Sequence, residues 1–150
     1  MAHAVRAARH AEIPELLAAF EWLFAPPGAR PALYDPERAR VTLAWTIDAE
    51  EATVLVAEAG DGALSGLVTV ALGPRSVRYG LRAWVEDLAV DPARRSTGVG
   101  KALLDAAKGW GREHGATHLE LDSGDARADA HRFYEREQPG WTSRQFAWAL

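Results

Sequence analysis

The residue types best suited to chemistry gather in one stretch, Leu88-Ala89-Val90-Asp91-Pro92-Ala93-Arg94-Arg95-Ser96-Thr97-Gly98-Val99-Gly100-Lys101-Ala102-Leu103-Leu104. The pattern reads as a strand, a Gly-bearing turn and a helix start. A helix start carries N–H groups without internal partners and the positive end of the helix dipole. Gly98 and Gly100 let an anion approach that backbone, and Arg95 and Lys101 bring positive charge to its rim. The chemistry this suits is phosphate binding. On the strand just upstream, Glu86 and Asp87 offer adjacent carboxylates, the groups a proton acceptor needs. Downstream, Arg127, His131 and Tyr134 recur at i, i+4 and i+7, which places them along one helix face.

The elements that must position these groups follow from periodicity. Val5 to Ala8 reads as a first strand. Ile13, Leu16, Leu17, Phe20, Leu23 and Phe24 follow one helix face, with Pro14 in the first turn. Asp35 caps a second helix from Pro36 to about Ala49. Two β-rich runs, Thr53–Glu58 and Leu64–Leu72, flank Gly60-Asp61-Gly62 and predict a hairpin that Gly73-Pro74 ends. Leu81–Val90 predicts the next strand. Strict alternation puts Trp84, Glu86, Leu88 and Val90 on one face and Val85, Asp87 and Ala89 on the other.

A long helix from about Gly98 to His114 follows, with Gly115 just past its end. Thr117–Asp122 predicts a strand. Ser123 or Asp125 caps a helix over Ala126–Arg136, and Thr142–Leu150 predicts a closing strand with Phe146, Trp148 and Leu150 on one side. The fold class is therefore α/β, a mixed and mostly antiparallel sheet flanked by helices. Length and the lack of any long linker predict one domain over residues 1–150.

Composition narrows the partners. The chain has 17 Lys and Arg against 21 Asp and Glu, a formal charge of −4. That balance argues against general affinity for nucleic acid or an anionic membrane. No run approaches the roughly 18 apolar residues of a membrane span. The first residues lack a secretion-signal pattern. The expectation is a cytoplasmic protein. The chain has no Cys, which removes thiolate nucleophiles and Cys-ligated metal sites; no metal is expected.

Three phosphate motifs compete for the loop. A P-loop requires Gly where Arg95 stands and Ser or Thr where Ala102 stands. A dinucleotide fingerprint requires Gly or Ala where Leu103 stands, although Glu120 lies at the distance of its ribose-binding acid. The third is Arg-x-x-Gly-x-Gly after a strand ending Leu-Ala-Val. It resembles the acetyl-CoA signature of the GNAT superfamily of N-acetyltransferases. The stretch Ser123–Arg136, with Ala130-His131-Arg132-Phe133-Tyr134, resembles that superfamily's second motif, and the upstream hairpin and aromatic end also match. One departure is visible: Arg136 to Trp141 is longer than the family's usual step after the Tyr helix.

The resemblance implies an acetyl-CoA-dependent transfer to a primary amine on a small molecule or on a protein or peptide. It implies pantetheine contacts along Leu88, Ala89 and Val90, and pyrophosphate on the main chain of Arg95, Ser96, Thr97, Gly98, Val99, Gly100, Lys101 and Ala102. Arg127 is a further candidate cofactor contact. The Val90 N–H matches the oxyanion donor, and Tyr134 the group that protonates the leaving thiolate. Glu86 is the candidate base, with Asp87 or a water chain as alternatives and a structural salt bridge as the non-catalytic reading. Trp22, Phe24, Tyr34, Glu86 and Asp87 are candidate acceptor contacts. The resemblance also suggests a homodimer. Two other classes compete: a catalytically silent CoA-binding sensor and a nucleotide-binding module.

Overall fold

The computed structural model describes residues 3–150. Five strands form one sheet in the order β1 (Ala4–Ala7), β2 (Ala52–Glu58), β3 (Leu64–Ser76), β4 (Gly80–Val90) and β5 (His118–Glu120). Neighbours from β1 to β4 are antiparallel, and β5 runs parallel to β4. The helices are α1 (Ile13–Phe24), α2 (Pro36–Asp48), α3 (Val99–Glu113) and α4 (Ala128–Arg136).

Alternation along β2 feeds two cores. Val54 and Val56 turn to one face, where Leu16 of α1 and Leu43 of α2 cover them. Ala57, with Val68 and Val70 of β3, turns to the other face, under Val99, Leu103 and Ala107 of α3. The hydrophobic stripe of α3 spans its whole length and brings its N-terminus back beside the end of β4. At α2 the Asp35 carboxylate accepts from the N–H groups of Glu37 and Arg38, the cap expected for that helix.

Gly66 sets how closely α3 lies on the sheet. A Cβ there would sit 2.8 Å from Leu103 Cδ1 and 2.9 Å from both the Ala89 carbonyl and Val99 Cγ1. One of these contacts is backbone, so the neighbours have little room to give. Gly66→Ala is therefore expected to destabilise the fold by about 1–3 kcal/mol through overpacking. Denaturant unfolding measures this; an unchanged midpoint would mean that α3 shifts freely on the sheet.

The structure departs from the sequence expectations at several places. β3 continues past Gly73-Pro74 to Ser76, because β4 begins early enough to pair with it, Ser76 opposite Gly80. β5 is shorter than Thr117–Asp122. α4 starts at Ala128, and neither Ser123 nor Asp125 caps it; Arg127 occupies the cap position without a side-chain bond. Thr142–Leu150 forms no strand. Its alternation is real, but no strand pairs with it, and Phe146 and Trp148 stay 72% and 80% exposed.

The largest correction lies in β4. Thr69 is opposite Asp87, but Val70 is opposite Val85, so Glu86 is an extra residue, a β-bulge. The bulge reverses the facing of everything after it. Val85 packs on the α3 side, and so do Leu88 and Val90. Ala89 joins the α1 and α2 core instead. Strict alternation from Trp84 therefore fails at Glu86.

Candidate active site

β4 and β5 pair only from Arg82 opposite His118 to Trp84 opposite Glu120. The Arg82 guanidinium bonds the Glu120 carboxylate across that short pairing. Beyond it β4 runs on to Val90 while β5 has ended, so this side of β4 has no strand neighbour among the described residues. On the other side, the Asp91 N–H donates to the Ser65 carbonyl and the Asp87 N–H donates to Thr69 Oγ1. Alternation then turns the main-chain groups of Leu88 and Val90 to the open edge and those of Ala89 inward. Ala89 is buried and serves the core. The segment after β5 carries a buried hydroxyl, Ser123 Oγ, with no hydrogen-bond partner among the described residues.

At the end of this edge lies the glycine loop. The Thr97 hydroxyl donates to the Arg94 carbonyl, Ser96 takes φ 61° and Gly98 takes φ 92°. Gly98 is thus in the left-handed region that β-carbons disfavour. His3 Nε2 lies 2.6 Å from the Thr97 carbonyl and holds the loop from the N-terminal side. Ala102 donates to the Gly98 carbonyl, and no side chain caps α3. The earlier N–H groups of this helix start are the ones an α-helix leaves without intrahelical acceptors. Loop, open edge and free N–H groups fit an elongated, phosphate-bearing ligand.

Two of the candidate cofactor contacts make other side-chain bonds in this structure. Lys101 bonds Glu137 at 2.9 Å and Asp105 at 3.3 Å, so carboxylates take its charge. Arg127 donates to the Leu23 carbonyl at 2.9 Å, which ties the start of α4 to the last turn of α1. The sequence shows neither Glu137 nor the Leu23 carbonyl as a partner, because both lie more than 30 residues away, whereas Asp105 stands four residues from Lys101 on the same helix. Arg95 remains exposed. Gly100 faces the Phe133 ring, which a Cβ there would meet at 3.5 Å, an ordinary contact distance.

At the bulge the two carboxylates part. Glu86 is exposed, and its Oε2 accepts from the Trp84 indole N–H at 2.6 Å. Asp87 is largely buried, and burial pushes its carboxyl up to about 6, with the Glu86 and Asp122 charges acting the same way. Thr69, itself buried, accepts from the Asp87 amide at 3.0 Å and lies 3.4 Å from its Oδ2. Thr69 and Asp122 are site residues that sequence reasoning missed. Hairpin pairing with an allowance for a bulge places Thr69; nothing local marks Asp122.

Glu86 and Asp87 both reach a cavity of about 370 Å³ between the sheet and the first two helices. Phe24 and Tyr34, in an edge-to-face pair 4.8 Å apart, line it too. Trp22 does not; it packs against the α1 and α2 core. The Tyr134 hydroxyl makes no protein hydrogen bond among the described residues. Burial raises its pKa, the Arg127 charge opposes that rise and Asp122 adds to it.

No helix among the described residues is long and apolar enough to cross a membrane, and no cluster of acids and histidines among them suits a metal ion.

An N-acetyltransferase of uncharacterised specificity from Bacillus subtilis is 41% identical over 71 residues, 47% of this chain and 49% of that protein. The streptothricin acetyltransferase of Streptomyces lavendulae is 35% identical over 59% of this chain and 44% of its own length. This chain's matches thus span about half the length of these curated relatives. An aminoglycoside N-acetyltransferase structure in complex with CoA superposes with a TM-score of 0.83 at 17% identity, over 99% of this chain and 95% of that one. That likeness establishes the same fold. The acetyltransferase (GNAT) family profile matches residues 3–138, nearly the full chain, and the chain belongs to that family.

Proposed function

We propose that this protein is an acetyl-CoA-dependent N-acetyltransferase acting in the cytoplasm on a primary amine. The observation that carries this is the open edge of β4, which has the glycine loop at one end and the Glu86–Asp87 pair at the other. One ligand lying along that edge has its phosphates at the loop and its acyl end beside the carboxylates.

Acetyl-CoA supplies an activated acetyl thioester. The chain supplies the rest. Leu88 and Val90 offer main-chain hydrogen bonds along the edge; the Leu88 N–H, next to the carboxylates, is the proposed donor to the acetyl oxygen, in place of the Val90 N–H, which lies at the loop end. An alkylammonium, with a pKa of roughly 10, must lose a proton before it can attack. Asp87 is the proposed base: burial raises its basicity, and Thr69 fixes its orientation. The geometry favours it over Glu86, which is held at the surface by Trp84 and is proposed to attract the ammonium. Tyr134 retains its proton and is proposed to give it to the departing sulfur. With no Cys in the chain, transfer to the amine is direct.

Gly98 gives the cleanest test of the cofactor assignment, because its φ of 92° shapes the loop and its position touches no core residue. Gly98→Val is expected to weaken acetyl-CoA binding by at least about tenfold. Forcing a β-branched residue into the left-handed region costs on the order of 1–2 kcal/mol or distorts the loop. Calorimetry with acetyl-CoA reads the affinity, and circular dichroism reports the fold. Wild-type affinity in a folded variant would reject the loop as the phosphate site. The activity itself is tested by thiol release from acetyl-CoA over a panel of amines.

A further inference from the structure

We propose that the acceptor is a primary amine carried on a flat, apolar body with one or two positive charges, and not a polycationic amino sugar. The inference rests on the reading of the 370 Å³ cavity as the acceptor site. Three observations carry it.

The first is the wall. Phe20, Phe24, Tyr34, Leu43 and Trp45 supply a mainly hydrocarbon lining. Phe24 and Tyr34 meet edge to face, which leaves ring surface for an apolar or aromatic group to pack on. An amino sugar presents hydroxyls and ammonium groups all round, and burying them against such a wall removes hydration without returning hydrogen bonds.

The second is the supply of negative charge. The lining includes three carboxylates, Asp35, Glu86 and Asp87. Asp35 is engaged by the N–H groups of Glu37 and Arg38 as the cap of α2. Glu21, at the end of α1, is bonded to Arg30. That leaves Glu86 and Asp87, adjacent in sequence and both at the reacting end. One ammonium is well served there, and further ones find only Asp35, whose charge the α2 N-terminus already holds.

The third is positive charge against the wall. The Arg30 guanidinium lies 4.9 Å from the Phe24 ring centre and 5.0 Å from that of Tyr34. It covers one face of each ring against further ammonium groups, while its own charge is paired with Glu21. Arg38 also lines the cavity, and it donates to the Leu33 carbonyl. A second or third cation entering the pocket therefore meets the Arg38 charge, which disfavours it on specificity grounds as well as affinity.

The test compares 2-phenylethylamine with kanamycin in two assays on the full chain. Thiol release from acetyl-CoA is expected to give a kcat/KM at least about tenfold higher for 2-phenylethylamine, the equivalent of one well-packed aromatic contact. Calorimetry on protein saturated with CoA is expected to show the same preference in binding. Tyr34→Ala should lower kcat/KM for 2-phenylethylamine about tenfold, mostly through KM. Arg30→Ser, which uncovers those ring faces and frees Glu21, should move the ratio at least about fivefold toward kanamycin. Equal or better use and binding of kanamycin would overturn the inference and leave the transferase reading standing. If neither amine nor any other releases thiol, the transferase reading fails, and the calorimetric preference still decides the class of the pocket. A ratio that neither variant moves would reject the aromatic wall as its cause.

Discussion

Asp87→Asn is expected to lower turnover by about 10²- to 10⁴-fold, the usual consequence of losing a general base, and to make the protein more stable at neutral pH. The two effects have one origin. The Asp87 carboxyl sits at about 6 because burial disfavours its charge. A base must be ionised to act, so wild-type turnover should rise through about pH 6, over and above the slower gain from amine deprotonation. Asn keeps the shape and removes that step, leaving the gain from the amine alone. The Michaelis constant for acetyl-CoA should hardly move, because the loop binds the cofactor.

The stability effect follows by linkage. The folded-state value lies above the ordinary 3.8, so the folded protein binds this proton more tightly than the unfolded chain. Stability then falls as pH rises from about 4 to about 6, and the full loss persists above that range. A gap of roughly two pH units amounts to about 3 kcal/mol, or several degrees of melting temperature in a chain of this size. Neutral Asn escapes this cost. Melting curves at pH 5 and pH 8 should show the variant's advantage widening with pH. If Glu86→Gln shows the large fall in turnover and Asp87→Asn does not, Glu86 is the base. Unchanged turnover and equal melting temperatures would make Asp87 a bystander.

The bulge behind this prediction also marks where sequence reading stops. Alternation locates β4 and its carboxylates, because a half-buried strand must place apolar groups at every second position. It carries no sign of an inserted residue, since Val85-Glu86-Asp87-Leu88 is compatible with either register. Only pairing with β3, Thr69 opposite Asp87 but Val70 opposite Val85, reveals that the two acids part company. The glycine loop was legible for the opposite reason. Its requirements are local: a left-handed Gly98, a free helix start and a strand leading in.

Lys101 and Arg127 show the limits of a local reading of charge. Lys101 reads as a cation at the loop and Arg127 as a cofactor contact, and their side chains bond groups that the fold brings from afar, Glu137 and the Leu23 carbonyl. The final segment makes the same point for strands. Thr142 to Leu150 alternates well, yet a strand exists only beside another strand. The aromatic wall was legible in composition but not in membership. Trp22 and Phe24 lie on one helix two residues apart, so about 200° of rotation separates them, and only Phe24 turns to the cavity.

Tyr134→Phe should lower the turnover rate constant by roughly 10- to 10³-fold and leave the Michaelis constant for acetyl-CoA nearly unchanged. The substitution keeps the ring, its packing beside Phe133 at 5.1 Å and the helix that carries both. It removes only the hydroxyl, which has no hydrogen-bond partner within the protein among the described residues. Burial raises the tyrosine pKa above its ordinary value, so at neutral pH the hydroxyl keeps its proton and is a donor. A thiol with a pKa of about 8.5 leaves moderately well as thiolate, which is why the expected loss lies at or below the full range for a general acid. Loss of turnover without loss of binding is the signature of an interaction made in the transition state alone. Acyl donors separate the alternatives further: a thioester with a more acidic thiol needs less help, so the deficit of Tyr134→Phe should shrink with it. Weaker acetyl-CoA binding at unchanged turnover would make the hydroxyl a positioning contact. No change in either would leave Tyr134 as a packing residue, and the chain would then have to expel the thiolate without a proton from α4.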